Sequence, residues 1–237
     1  MRPYIIINGV NSNNINGLLI SKLPPISKAQ MRTEVEEIDG RDGDIVTPLG
    51  LQAYDKDIEI GLYGQYNVDD VIAFFNTSGR VTFSNEPDKY YNFAIYNKID
   101  FERLIRYKTA VVTLHVQPFK YSALEFPKTA TAEEGAETCS LTVRNRGNTH
   151  SKPTLTIKGA GIISVLINNV HVLQIDLSTA PQITIDSVLM EAYNGATLLN
   201  RHVVGNYDNV SLHSGVNTVT VNGNVAEITI DHYSRWI

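Results

Sequence analysis

Histidine and cysteine are the first residues to consider for chemistry, because six histidines and one cysteine are spread over 237 residues. Ligands of a metal ion typically recur at short spacings such as His-x-x-x-His or Cys-x-x-Cys, which place two ligands on one face of an element. No histidine falls in such a spacing, so the sequence predicts neither a metal site nor a cofactor. The histidines are His115, His150, His171, His202, His213 and His232.

Carboxylates recur in one short run, Glu34, Glu36, Glu37 and Asp39. Alternate positions of a strand would place Glu34 and Glu36 on the same face, which resembles a pair of catalytic acids. Glycoside hydrolysis, however, needs two carboxyl groups held across a sugar at a defined separation, one with a raised pKa. A local run on one strand does not show that arrangement, so we interpret it as a solvated strand face.

Nucleophilic chemistry also lacks its usual local signals. Cys139 lies in the predicted strand 138–144 with no base at a recognisable spacing, and we expect a small packed side chain there. A single cysteine allows no intramolecular disulfide. The sequence contains no Gly-x-Ser-x-Gly elbow, Walker loop or dinucleotide fingerprint. The chain is therefore predicted not to be an enzyme, and no catalytic residue is assigned.

Tyrosine is abundant, with 12 copies. An aromatic ring with a polar tip suits a core or sheet edge, a protein interface or a platform for sugars. A core or edge role is the first interpretation, an assembly interface the second and a carbohydrate site the third. The clustered copies are Tyr90, Tyr91, Tyr96, Tyr107 and Tyr121.

Composition indicates a globular β-protein. Hydrophobic residues make up 43% and charged residues 19%, while Val, Ile and Thr clusters alternate with Gly, Asn and Pro. The formal charge of −5 argues against duplex nucleic-acid binding, which relies on clustered Lys and Arg. The apolar run after Met1 breaks at Asn8-Gly9, too short for a secretory segment, so we expect the protein in the cytosol of its producer.

The elements of the front half are predicted as strands around one helix. Val68, Val71, Ile72 and Phe75 recur at helical spacing, Asn67 can cap, and Gly79 stops the helix. Its apolar stripe is expected to pack on the sheet, with a partner-binding stripe as the alternative. A polar connection separates the last two strands, and Pro118 is expected to end the ladder. The predicted strands are 4–7, 18–22, part of 30–38, 57–63, 91–99 and 108–116.

The back half carries hairpin signals at short intervals. Asn168-Asn169, Asn194-Gly195 and Asn222-Gly223 are each predicted as turns between two strands, because type I′ turns need positive φ at both positions. Strands at this spacing without helices favour a β-sandwich or jelly roll. Residues 127–137, rich in Ala, Thr, Glu and Gly, look like an exposed connector, and the domain boundary is placed there.

The order of motifs along the chain resembles the distal tail protein (Dit) family of bacteriophages with long non-contractile tails, either siphophages or prophages. Gly40-Arg41-Asp42-Gly43 and Tyr54 precede the alternating strand through Ile58. The other matching stretches are Gln117-Pro118-Phe119-Lys120-Tyr121, Asn145-Arg146-Gly147-Asn148, 153–159, Ile183-Thr184-Ile185-Asp186, Ser214-Gly215-Val216-Asn217 and Arg235-Trp236.

The resemblance implies a mainly β protein with two domains. Residues 1–125 would form a β-sandwich or barrel-like domain with one short helix that assembles into a hexameric ring, or into stacked rings. Residues 126–137 would be a linker, and residues 138–237 a galectin-like (jelly-roll) β-sandwich. Such a virion structural protein is a baseplate hub. It joins the distal end of the tail tube to the tail-tip adsorption apparatus that contacts the host.

The same resemblance implies the partners and the place of work. The partners would be further copies of the chain, the tail tube protein, a tail-tip or tail-associated protein and a receptor-binding protein. Genome DNA would pass through an acidic or neutral bore without specific binding. The protein would be assembled in the host bacterial cytoplasm and reside at the virion tail tip. The alternative is a lectin-like module that binds host cell-wall saccharides, although the galectin sugar-binding residues cannot be located here.

A ring requires two different complementary surfaces on each subunit. The excursion 43–53 is a natural supplier of one of them, together with the edge strands. We expect Gly40, Arg41, Asp42 and Gly43 to lie at the subunit interface or to stabilise the arm that does. An intramolecular turn with a local salt bridge is the alternative.

Overall fold

A computed structural model describes residues 2–40, 42–96, 99 and 101–237, except for the side chain of Phe101. The chain is mainly β, as the composition predicted. It divides into two compact units, one up to Ala123 together with Ile237 and the other from Leu124 to Trp236. Each unit has its own hydrophobic core.

Among its described residues, the front unit contains nine strands and two helices, with a 3-10 turn at Ser12–Asn14. They are β1 (Ile5–Ile7), β2 (Val10–Asn11), β3 (Leu18–Lys22), β4 (Met31–Glu37), β5 (Asp44–Leu51), β6 (Tyr54–Leu62), α1 (Val68–Phe75), β7 (Ser78–Phe83), β8 (Lys89–Ala94), α2 (Phe101–Tyr107) and β9 (Thr109–Ser122).

One antiparallel sheet organises this unit, in the strand order β2-β1-β7-β8-β9-β6-β3. The alternation predicted for β6 is present, because Ile58 and Ile60 are fully buried while Asp57 and Glu59 are exposed. β4 and β5 stand apart from this sheet as a separate two-stranded hairpin. The sheet is therefore the rigid body from which the hairpin extends.

Helix α1 confirms the predicted pattern. The Asn67 side chain accepts a hydrogen bond from the amide of Asp69 at 3.0 Å, which satisfies one free donor of the first turn. Asp69 and Asp70 lie in that turn, where negative charge suits the helix dipole. Val71 and Phe75 are fully buried, so the apolar stripe packs into the front core as expected.

The front half differs from expectation in several places. Strand β7, Ser78–Phe83, was not predicted, and the strand predicted over 91–99 is β8, which ends at Ala94. Helix α2 occupies the stretch predicted as a polar connection, because its buried face depends on Leu104, too little periodicity to detect. Strand β9 continues past Pro118, which was predicted to end it. The register against β8 shifts between Tyr91 and Phe93, so Pro118 lies opposite an irregularity where no ladder hydrogen bond is required.

The back unit contains ten strands, with 3-10 turns at Asn200–His202 and Tyr207–Asn209. The strands are β10 (Lys128–Thr131), β11 (Thr138–Asn145), β12 (Thr154–Ile167), β13 (Val170–Asp176), β14 (Gln182–Asp186), β15 (Glu191–Asn194), β16 (Thr197–Leu198), β17 (Val203–Gly205), β18 (Gly215–Asp231) and β19 (Arg235–Trp236).

Two long strands, β12 and β18, run side by side through this unit and bend together. On one side of the bend they pair with β14 and β10, and on the other with β13 and β11. The changing partners curl the sheet around a single core of Val, Ile and Leu side chains. The Asn168-Asn169 turn between β12 and β13 was predicted correctly, with φ of 52° and 67°.

Asn222-Gly223 was predicted as the turn of a hairpin, but β18 continues through both residues without reversing direction. Gly223 has a φ of +119° opposite the register break in β12, where Gly161 has a φ of +72°. The pair therefore supplies the backbone freedom for the bend and not for a chain reversal. The expected connector also differs, because Lys128–Thr131 pairs with β18 as strand β10.

Candidate functional site

The hairpin of β4 and β5, called the arm below, is the most distinctive surface of the front unit. At roughly 3.3 Å per residue, the seven residues of β4 extend about 23 Å. Direct pairs run from Met31 opposite Leu51 to Glu37 opposite Asp44, with one irregularity between Arg32 and Thr33. No residue of β4 is buried, and none of β5 is fully buried. The arm is therefore a two-stranded ribbon exposed on both sides.

One face of the arm is apolar. Directly opposed residues of an antiparallel pair share a face, so Val35 and Val46 lie together. The pairs Thr33–Pro48 and Met31–Leu51 follow toward the base of the arm, and Glu37–Asp44 follows toward its tip. Val35 is 53% exposed and Val46 is 56% exposed. Water therefore contacts a row of aliphatic side chains that a partner could cover.

The other face of the arm is polar and acidic. Glu34 lies opposite Thr47, and Glu36 opposite Ile45, so the two glutamates share this face as their alternation predicted. Both are exposed, and no ion pair links either of them to another described residue. The two faces thus offer a partner different chemistry.

The predicted interface motif lies at the tip of the arm. Gly40 has a φ of +82° and Gly43 a φ of +80°, left-handed values that favour glycine and reverse the chain. Asp42 is exposed between them. Arg41, the fourth predicted residue, lies outside the described residues.

Hydrogen bonds from the sheet hold the base of the arm. The amide of Gln52 donates to the Gln30 carbonyl at 2.8 Å and closes the hairpin. The segment before β4 is fixed by two side chains of β6. The Lys56 ammonium donates to the Pro25 carbonyl at 2.8 Å, and the Tyr54 hydroxyl donates to the Ser27 carbonyl at 3.3 Å. The arm therefore starts from a defined position on the sheet.

A buried polar cluster lies beneath this base. Glu86 receives Lys120 Nζ at 2.8 Å on one carboxylate oxygen and the hydroxyl of Tyr91 at 2.9 Å on the other. The Lys120 and Glu86 side chains are 11% and 10% exposed. Burial raises the pKa of Tyr91, so the phenol remains a donor. The carboxylate is thus fully engaged by groups of the protein.

Lys56 completes the cluster and is 3% exposed. Burial, opposed by Glu86 and assisted by the charge of Lys120, lowers its pKa from 10.5 to about 8. Its ammonium lies 5.1 Å from the centre of the Tyr91 ring and 5.4 Å from that of Tyr54. These contacts use the ammonium to fix the arm and leave it poorly placed to act on a substrate.

The remaining residues considered for chemistry are not brought together. No group of three His, Cys, Asp or Glu side chains in the described part of the chain could hold a metal ion. His115 contacts Asp55 at 2.7 Å, and His232 is buried in the back unit, unlike most of the histidines. Cys139 is 4% exposed in the back core, and burial raises the pKa of its thiol. No described helix has the length and apolar character required to span a bilayer.

The clustered tyrosines divide between core and surface. Tyr90 and Tyr91 are buried, while Tyr96 and Tyr107 are each about two-thirds exposed. In the back unit, a hollow of about 830 Å³ lies between residues 131–138 and residues 222–226. None of its lining residues is aromatic, so it lacks the stacking platform typical of a sugar site.

Sequence reasoning found the tip of the arm but missed its apolar face and the buried cluster. The face depends on which residues of β4 and β5 lie opposite each other, and that register is invisible before the hairpin is built. Lys56, Glu86 and Lys120 lie on separate elements. A charged residue at an inward position of an alternating strand, as Lys56 is in β6, was the one signal available.

Comparison with known proteins gives a fold and no close relative. No protein-family model matches the sequence, and no curated protein matches it. Among solved structures, the chain is similar to SPP1 Dit (gp 19.1), described as a paradigm of the hub adsorption apparatus in phages that infect Gram-positive bacteria. The TM-score is 0.68 at 15% identity, and the match covers 100% of both chains.

A second similar structure is a chain of the phage P2 baseplate in its activated conformation with Ca. The TM-score is 0.51 at 11% identity, over 100% of this chain and 98% of the other. Both matches run over the full length, so they concern the arrangement of elements in both units. The predicted resemblance is confirmed at the level of structure: this chain has the fold of the phage distal tail protein Dit.

Proposed function

We propose that this chain is a structural protein of a phage tail tip, a hub that joins the distal end of the tail tube to the adsorption apparatus. Full-length similarity to the SPP1 hub protein supports the proposal, and the exposed arm carries it. In the proposed hub, six copies of the front domain close a ring, and the arm of each copy contacts a neighbour.

The physical case for a neighbour rests on the cost of leaving the arm bare. An isolated two-stranded hairpin is marginally stable in water, and this one buries little against its own unit. Covering Val35 and Val46 would remove their aliphatic surface from water, at about 25 cal/mol per Å². Head-to-tail contacts between two unlike surfaces can close into a ring. The protruding arm would be one of these surfaces, and a separate receiving surface on the neighbour would be the other.

The two domains would divide the work. The front domain, residues 1–125, would form the ring around a neutral or acidic bore through which DNA passes without specific binding. The galectin-like back domain, residues 138–237, would sit outside the ring beyond the linker 126–137. Its partners would be the tail-tip or receptor-binding proteins, and the tail tube protein would meet the ring.

This role is binding and not catalysis. The most perturbed ionisable groups, Lys56 and Tyr91, are held by Pro25 and Glu86 beneath the arm. Perturbed pKa values often mark functional sites, but structural ion-pair networks produce them as well. Their contacts here favour a structural role.

The decisive experiment is the solution mass of the full chain by size-exclusion chromatography with light scattering over a concentration series. Six copies of 26.3 kDa give about 158 kDa, and stacked rings give twice that mass. We expect a closed oligomer. A chain that remains monomeric throughout the series, and that binds glycans on an array, would contradict the hub and support the lectin-like alternative.

A matched pair of variants tests the arm. Val35→Thr with Val46→Thr keeps the shape and strand preference of both residues but makes the apolar face polar. Val204→Thr with Val216→Thr makes the same change at two back-unit positions that are 68% and 67% exposed. We expect only the arm variant to lower the oligomeric mass. Equal behaviour of the two variants would show that the arm face is not an interface.

A further inference from the structure

Helix α2 has an unusual outer surface for a short helix. Leu104 is fully buried against the front core, while Ile105 and Tyr107 are 47% and 65% exposed. Arg103 and Arg106 are exposed on the same helix. Arginine and tyrosine are enriched among the residues that dominate binding energy at interfaces. Arg103, Arg106 and Tyr107 line one hollow and form a patch of cationic and aromatic groups, while Ile105, two residues from Tyr107, lies on another flank of the helix.

The charge of this patch opposes that of the chain. Between Phe101 and Lys108 there are three cations and one carboxylate, in a protein whose formal charge is −5. The carboxylate, Glu102, pairs with Arg106 at 3.6 Å, an exposed contact of small energetic value. An open hollow beside α2 reaches Thr109 at the start of β9. The patch is a positive, partly apolar surface with a recess.

The arm has the complementary character. Residues 31–51 contain six carboxylates and two arginines, so the arm is acidic, and one of its faces is apolar. No described element of its own unit packs extensively on it. Arm and α2 are thus matched twice, in charge and in apolar surface. Complementary potentials of this kind set register and suppress wrong partners.

We propose that α2 and the adjoining start of β9 form the surface that receives the arm of a second copy. The contact deepens the proposed ring and rests on it, because it names the two unlike surfaces that head-to-tail closure needs. Glu37 and Asp44, which share the face of Val35 and Val46, approach Arg103 and Arg106 together with the tip of the arm. Val35 and Val46 cover the exposed ring of Tyr107.

A second copy is favoured over nucleic acid as the occupant. Duplex binding relies on phosphate contacts from clustered cations, and it would leave Val35 and Val46 of the arm in contact with water. An acidic protein ribbon with aliphatic side chains satisfies both the charge and the apolar surface.

Reciprocal charge reversal in the full chain tests the contact. One variant carries Arg103→Glu with Arg106→Glu, a second carries Glu37→Lys with Asp44→Lys, and a third carries all four changes. We expect either two-site variant to lower the association constant at least tenfold in sedimentation velocity, and the four-site variant to recover most of the loss. Because all four residues are exposed, thermal unfolding of the monomer should hardly change.

The control is Arg144→Glu with Arg201→Glu, which changes the net charge equally at exposed positions of the back unit. Two results would overturn this contact and leave the proposed hub intact. In one, the wild-type chain forms a ring and Arg103→Glu with Arg106→Glu does not weaken it. In the other, the four-site variant recovers none of the lost association. A wild-type chain that never self-associates would contradict the ring and the contact together. If the wild-type chain binds a short DNA duplex, and Arg103→Glu with Arg106→Glu abolishes that binding without any effect on assembly, the patch is assigned to nucleic acid instead.

Discussion

Glu86 forms a buried cluster with Lys120, Tyr91 and Lys56, and among the residues that the structure describes it is the only carboxylate of that cluster. Replacing Glu86 by glutamine removes this negative charge. Lys120 Nζ lies 2.8 Å from Glu86, and both side chains are about nine-tenths buried. Breaking a buried pair at one partner typically costs 3–5 kcal/mol, because a charge is left in a poorly solvating site. Lys56, 3% exposed, loses its favourable neighbour at the same time.

An independent ceiling supports this range. Deprotonating a lysine of ordinary pKa at pH 7 costs about 4.6 kcal/mol. A buried lysine without its partner would lose its proton once the free energy of keeping the charge exceeded about that value. We therefore expect Glu86→Gln to lower the free energy of unfolding of the front unit by about 3–5 kcal/mol. At about 4 °C per kcal/mol for a unit of this size, the melting temperature falls by about 12–20 °C.

The assay is thermal and urea unfolding followed by circular dichroism, with two companion variants. Glu59→Gln removes an exposed pair with Lys22, whose atoms lie 3.3 Å apart, and should cost less than about 0.5 kcal/mol. Glu86→Gln combined with Lys120→Met removes the stranded charge and should recover most of the loss. A cost below about 1 kcal/mol for Glu86→Gln alone would refute the cluster as the anchor beneath the arm.

Three further predictions concern pH, packing and the arm tip. Because the pKa of Lys56 is about 8 in the folded chain and near 10.5 when unfolded, the unfolded chain holds more protons between pH 8 and 10. The free energy of unfolding in urea should therefore rise over this range by up to about 1.4 kcal/mol per pH unit. Lys56→Met should flatten the rise. A parallel profile for the variant would argue against that origin. Gly147→Ala places a Cβ against the Arg235 carbonyl oxygen and should cost about 2 kcal/mol or more by chemical denaturation, whereas Gly195→Ala, in open space at φ +59°, should cost about 1 kcal/mol. Arg41→Ala should weaken self-association in light scattering; unchanged assembly would show that Arg41 makes no contact between subunits.

Local signals predicted the elements whose determinants lie close together in sequence. Asn67 caps α1 through the amide of Asp69, two residues on, and Asn168-Asn169 reverses the chain by its own φ values. Leu18–Lys22 was predicted with its observed bounds. In each case the preference belongs to the residues themselves, so it needs no partner to be read.

Predictions failed where a distant strand decides the outcome. Pro118 does not end β9, because the β8 register leaves an irregularity opposite it. Gly223 bends β18 and does not reverse it, because β12 continues alongside with its own break. The apolar face of the arm and the pairing of Glu86 with Lys120 likewise depend on contacts between separate elements. Such long-range pairing cannot be derived from one local window.

Because the thiol of Cys139 is buried, the native chain should react only slowly with thiol-directed reagents. Its side chain lies in the back core, and its raised pKa keeps the reactive thiolate scarce at neutral pH. A cysteine introduced at the exposed arm would then be the preferred site for a spin label or fluorophore, with no need to delete the natural residue. The molecule is therefore suited to spectroscopy in which the mobility of the arm is followed while copies of the chain come together.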